Sequence, residues 1–120
     1  MSSRKPKSLY SVLPLSIVQR EARKVLTAQQ LREGIGTAKR LRHYPDVPDL
    51  RIERCGEGLE LRLETPAIKP QGWLRAIFWV HEKNRTIYIV DLFWKKTNKV
   101  ALADLHRANH RIRQLRAQLG

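Results

Sequence analysis

Four cations occupy positions where a strand should be apolar or is just ending: Arg62, Arg75, Lys95 and Lys96. Arg75 interrupts Trp-Leu-Arg-Ala-Ile-Phe-Trp-Val (73–80), which is otherwise apolar on both faces. A guanidinium there must reach a sheet edge, a carboxylate or a cleft, because an unpaired buried charge is too costly. Arg62 sits in 59–64, where Leu59, Leu61 and Leu63 alternate with Glu60, Arg62 and Glu64. The plain reading of that pattern is a half-buried strand with one solvated, ion-paired face, each pair worth under ~1 kcal/mol. Lys95 and Lys96 follow a strongly apolar run, with Lys99 just beyond. Cations fixed side by side suit an anion whose charge grows during reaction, above all a phosphate. Arg contacts it bidentately, while Lys acts as a point charge or, with a lowered pKa, as a base.

The remaining titratable groups are less specific. His81 closes the segment that holds Arg75 and is a candidate for proton transfer by residue type, but a satisfied or exposed surface histidine is the commoner reading. Asp91 breaks the run Ile-Tyr-Ile-Val-Asp-Leu-Phe-Trp (87–94) and is expected to pair with Arg75 or Arg62 across the sheet. His106 and His110 have the i, i+4 spacing of metal ligands, but no third ligand follows the pattern, so no metal site is expected. The chain has no Gly-rich phosphate loop, no H-E-x-x-H and no Ser/His/Asp order.

Composition narrows the partners. The 120 residues carry 24 Lys+Arg against 11 Asp+Glu, a net charge of +13. Such an excess speaks to partners rather than to fold, nucleic acid first, then a membrane surface or an acidic protein. Lys99 and, near the end of the chain, Arg107 and Arg111 extend the cationic set into a binding surface whose affinity should fall steeply with salt. Cys55 is the sole cysteine, which excludes a disulfide framework or a thiolate metal cage. No run approaches the ~20 apolar residues of a membrane span, and no apolar region follows the basic start, so a cytoplasmic protein is expected.

The elements that must position these residues follow from periodicity. Residues 1–8 show no apolar pattern and read as a flexible basic arm, leaving 9–120 as one domain. A short edge strand is expected over Leu9–Leu15. Two helices follow, opened by the capping boxes Ser16/Gln19 and Thr27/Gln30. Gly34 and Gly36 should weaken the second helix by ~1 kcal/mol each and kink it or end it early. From Leu50 the period becomes that of strands, with a turn at Gly56–Gly58 and a loop over 65–72. Strands are expected at Leu74–His81 and Thr86–Trp94, joined by Glu82–Arg85. With Trp73, Trp79 and Trp94 all in this hairpin, the core should be heaviest there. Ala101–Leu119 forms the last helix. Strands grouped together rather than alternating with helices indicate α+β, with two N-terminal helices packed on a three- to four-stranded antiparallel sheet and a C-terminal helix.

Three blocks, in order, resemble the RelE/ParE superfamily of bacterial toxins and, within it, the phage-derived HigB-like branch. Glu60-Leu61-Arg62 is similar to the family's E-L-R strand motif. Leu74-Arg75-Ala76-Ile77-Phe78 is similar to its Y-R-V-x-Y strand, and Leu92-Phe93-Trp94-Lys95-Lys96-Thr97 to its F-x-K-K-T segment. The resemblance spans Tyr10 to Leu119 and implies a compact microbial-ribonuclease-like fold. It also implies a type II toxin-antitoxin toxin, a metal- and cofactor-independent endoribonuclease cleaving mRNA on the translating ribosome. Its partners would be mRNA, the ribosome and a cognate antitoxin, acidic or acid-patched to match the toxin's charge. Arg62, Arg75, Lys95 and Lys96 fall on the family's cationic motifs; His81 and Tyr88 are the candidate bases, with Lys99, Arg107 and Arg111 as RNA contacts. The superfamily also contains ParE-like inhibitors of DNA gyrase, and a non-catalytic basic nucleic-acid-binding module remains the third reading.

Overall fold

The computed structural model describes residues 9–97 and 99–120; the basic arm expected over 1–8 lies outside the described residues. In chain order the elements are β1 (Ser11–Pro14), α1 (Ser16–Val25), α2 (Ala28–Lys39), β2 (Ile52–Cys55), β3 (Gly58–Leu63), β4 (Trp73–His81), β5 (Thr86–Lys95) and α3 (Leu102–Leu119). The strands form one sheet in the order β1-β5-β4-β3-β2. β2 through β5 pair antiparallel, as hairpin patterning predicts. β1 adds in parallel to β5, Ser11 opposite Thr86 and Pro14 opposite Ile89, so the α+β sheet is five-stranded and mixed. No hairpin turn joins β1 to another strand, and only such turns make pairing direction readable from local sequence.

The Thr27/Gln30 capping box forms: Gln30 N–H donates to Thr27 Oγ1 at 3.1 Å and Thr27 N–H to Gln30 Oε1 at 3.0 Å. The Ser16/Gln19 box does not. Leu15 is the N-cap of α1 without a side-chain bond, and Gln19 Nε2 donates instead to Pro14 O at 3.3 Å. Gly34 and Gly36 neither kink nor end α2, which runs to Lys39 and continues as a 3₁₀ turn to His43. Tertiary ties offset the weak propensity: Gln30 Nε2 donates to Ala67 O at 3.2 Å, and Ala67 N–H donates to Glu33 at 2.9 Å.

Alternation along the strands separates two cores. Leu61, Leu63, Leu74, Ala76, Phe78, Ile87 and Ile89 meet Val18 of α1 and Ala38 of α2 on one face. Cys55, Ile77, Val90 and Phe93 meet Ala108 and Ile112 of α3 on the other. The tryptophans do not anchor either core. Trp73 is 45% exposed and Trp79 and Trp94 are half-buried, while Leu61, Ile77 and Phe78 are fully enclosed. Indole is too large to be enclosed readily, and smaller side chains fill the space between sheet and helix.

α3 approaches β3 closely at Gly58, where an added Cβ would lie 2.8 Å from Phe78 O and 2.9 Å from Ile112 Cδ1. Gly58→Ala is expected to cost about 1–3 kcal/mol through overpacking. Gly36→Ala meets nothing within 4 Å and should stabilise α2 by up to ~1 kcal/mol. Urea unfolding of both variants checks the contrast. The hydrogen bond from Ala67 N–H, aided by Thr65, holds the Glu33 carboxyl below its ordinary value. A lowered folded-state pKa stabilises fully above the unfolded value of about 4.3, and that contribution is lost as pH falls through the folded value. Glu33→Gln should therefore flatten the fall in urea midpoint between about pH 5 and pH 3 relative to the unsubstituted chain.

Candidate phosphate-binding site

The register places the motif residues on the sheet face that α3 only partly covers. Arg62 is opposite Arg75, Arg75 opposite Phe93, and Lys95 opposite Trp73. Glu60 lies one alternation from Arg62 and is opposite Glu53. Two guanidiniums directly opposed are tolerated because carboxylates interleave with them. Glu60, only 5% exposed, is the hub: its Oε1 lies 3.3 Å from Lys95 Nζ and 3.0 Å from Arg75 Nε. The Arg75 Nε–H does not point along that contact, which is therefore coulombic rather than a directed hydrogen bond. Arg75 Nη1 donates to Leu74 O at 3.0 Å. Burial lowers the Arg75 pKa, Glu60 pulls it back and Arg62 adds to the fall; the guanidinium stays charged.

The partner carboxylate demanded by Arg75 is thus Glu60. Periodicity assigns Glu60 to a solvated face, and only the register of three strands reveals it as buried between two cations. Arg62 differs from the other two: it pairs at 3.1 Å with Glu53, whose side chain is 62% exposed. Such a surface pair is worth under ~1 kcal/mol and exchanges readily for a phosphate. Lys96 and Lys99 are exposed beyond the end of β5, where Thr97 Oγ1 donates to Lys99 O at 3.1 Å.

Asp91 does not pair with Arg75 or Arg62. Ile77 is opposite Asp91 and Phe78 opposite Ile89, so Val90 is an extra residue, a bulge that turns Asp91 under α3. There Arg107 donates to Asp91 Oδ2 through Nε at 3.2 Å and Nη2 at 2.9 Å, and Arg111 Nη1 donates to Oδ1 at 3.3 Å and to Val90 O at 2.8 Å. Burial pushes the Asp91 carboxyl up against the opposing pull of Arg107 and Arg111. Arg107 and Arg111, expected to face RNA, are occupied in holding α3 to the sheet; the Arg111 side chain is only 10% exposed.

His81 shares β4 with Arg75 but lies six residues along it, about 20 Å away at ~3.3 Å per residue. It is buried, its ring 5.3 Å from that of Trp79, which also stacks on Tyr88. The structure therefore brings together Arg62, Arg75 and Lys95, and sets His81 and Tyr88 at the opposite end. Burial raises the Cys55 thiol, which removes it as a nucleophile.

No protein-family model and no curated protein matches the chain. Among solved structures, the toxin RelE of E. coli, a double arginine-to-alanine mutant in the free state, matches with a TM-score of 0.63 at 12% identity. The match covers 87% of this chain and 98% of that one. The fold is that of RelE. A chain of the archaeal RelE–RelB complex from Pyrococcus horikoshii OT3 is similar at 22% identity and a TM-score of 0.49, covering 73% of this chain and 97% of that one.

Removing Glu60 leaves two cations without their shared partner. Glu60→Ala is expected to cost about 3–5 kcal/mol in urea unfolding. Arg62→Ala, which breaks a surface pair, should cost under ~1 kcal/mol. Equal losses would remove Glu60 from the centre of the cluster.

Proposed function

We propose that the chain is the toxin of a type II toxin-antitoxin system, an endoribonuclease of the HigB-like branch that cleaves mRNA on the translating ribosome. The observation that carries this reading is the convergence of Arg62, Arg75 and Lys95, from three strands, on one sheet face of a RelE fold. The excess of 24 basic over 11 acidic residues draws the protein to an anionic polymer. No helix among the described residues is long and apolar enough to cross a membrane, compatible with work in the cytoplasm.

In the proposed reaction the ribose 2′-hydroxyl gives its proton to solvent water as its oxygen attacks the adjacent phosphorus, and negative charge builds on the phosphorane oxygens. The bond to the 5′-oxygen then breaks, that oxygen takes a proton from water, and a 2′,3′-cyclic phosphate is left. Arg62 releases Glu53 and takes the phosphate, with Lys96 and Lys99 guiding the backbone. Arg75 and Lys95, held by Glu60, supply a fixed positive field beneath it. Preorganised charge is the largest usual term in catalysis and needs no metal or cofactor. His81 and Tyr88 lie too far from the cluster to exchange a proton with the same phosphate. Catalysis then rests on charge and positioning, with the ribosome aligning the substrate. An acidic or acid-patched antitoxin would neutralise the toxin by covering this face.

Induced expression is expected to arrest growth and to create new mRNA ends inside translated regions. Arg62→Ala should lower the cleavage rate about a hundredfold while shifting the thermal midpoint by no more than about a few degrees, as expected for loss of one transition-state contact. Intact mRNA with inhibited supercoiling would assign the protein to gyrase instead. Intact mRNA with unaffected supercoiling would leave a binding module. The adjacent reading frame should encode an acidic or acid-patched protein.

A further inference from the structure

Trp73 is an indole 45% exposed at the first residue of β4, and among the described residues no aromatic ring packs against it. Its cross-strand neighbour is Lys95, and Arg75 follows two residues later on the same strand face. β3 ends opposite Leu74, so no third strand flanks Trp73 on that side. The ring therefore stands at the open rim of the cationic cluster. Cross-strand neighbours lie about 5 Å apart and i, i+2 neighbours about 7 Å, a spacing one nucleotide bridges between phosphate and base. An exposed indole is otherwise a liability on a highly charged surface. Beside phosphate-binding cations it has the form of a stacking platform, since every base presents a π-face.

We infer that Trp73 stacks on the nucleobase flanking the phosphate held by Arg62. The occupant is single-stranded RNA, because a base must be free of its pair to lie flat on an exposed ring. This rests on the RNA reading given above and adds to it a contact that is neither ionic nor part of the three motif blocks. Stacking carries little sequence preference, so Trp73 sets affinity and register rather than choice of base.

The test uses the full chain and a single-stranded RNA of about ten nucleotides, 2′-O-methylated throughout so that it cannot be cleaved. Trp73→Ala should weaken binding by about tenfold to a hundredfold, with Trp73→Phe keeping most of the affinity. The plot of log Kd against log salt should shift while keeping its slope, because no phosphate contact is lost. Lys96→Ala should lower the slope by about one. With an abasic oligonucleotide of the same length, Trp73→Ala and the unsubstituted chain should bind alike. If Trp73→Ala binds the intact oligonucleotide as tightly as the unsubstituted chain while Lys96→Ala still flattens the slope, the platform is overturned and the phosphate site stands. A reduced slope for Trp73→Ala would make it an organiser of the lysines and would also overturn stacking. If the unsubstituted chain shows no salt-dependent RNA binding, both the platform and the RNA reading fall.

Discussion

A carboxylate with no access to water has to be met by positive charge, and Asp91 imposes that requirement at the centre of β5. The bulge at Val90 turns it under α3, and Arg107 and Arg111 answer it from successive turns of that helix. Breaking such a pair leaves a bare buried charge, so α3 has essentially one position on the sheet. From that position Ile112 closes on Gly58 and Ile77, and Asn109 Oδ1 accepts the Glu57 N–H at 2.9 Å. Arg113 and Arg116 then clasp the Glu57 carboxylate.

The same docking decides which cations remain for a ligand. Arg107 and Arg111 are engaged with Asp91, Arg107 with its side chain still 37% exposed, and the neighbouring face carries Arg62, Arg75 and Lys95 together with the exposed Lys96 and Lys99. Within it Glu60 holds two cations in fixed places, and Glu53 covers the third loosely. The resting face is thus partly neutralised, with one exchangeable ion pair at its surface and a positive surplus left by Lys96 and Lys99. Such an arrangement keeps like charges together without a ligand and concentrates the response to phosphate in Arg62.

Much of the architecture was legible in local signals because the forces behind it are local. The Thr27/Gln30 box and the turn glycines act within a few residues of chain and appear as read, and the alternation over 59–63 does form a strand, although its Glu60 is buried. The failures have a common cause. Ser16/Gln19 has the spacing of a capping box, yet Pro14 O offered Gln19 another acceptor. Gly34 and Gly36 have poor helix propensity, but Gln30 and Glu33 tie α2 to the loop after β3. The hairpin does carry the heaviest core, as its tryptophans suggested, but the enclosed side chains are Leu74, Ile77, Phe78, Ile87 and Val90 rather than the indoles.

The sequence by itself determined the α+β class, the hairpins, the strand positions of Arg62 and Arg75, and the surplus of positive charge, because periodicity and composition are properties of the chain alone. Tertiary structure decided which carboxylate answers which cation. Glu60 rather than Asp91 meets Arg75, Asp91 takes Arg107 and Arg111, and His81 ends about 20 Å from the cluster at ~3.3 Å per strand residue. Ion pairing depends on strand register, on a one-residue bulge and on the helix lying over the sheet. Each of those is settled only when distant segments pack, since a charge selects its partner by proximity in space and not along the chain.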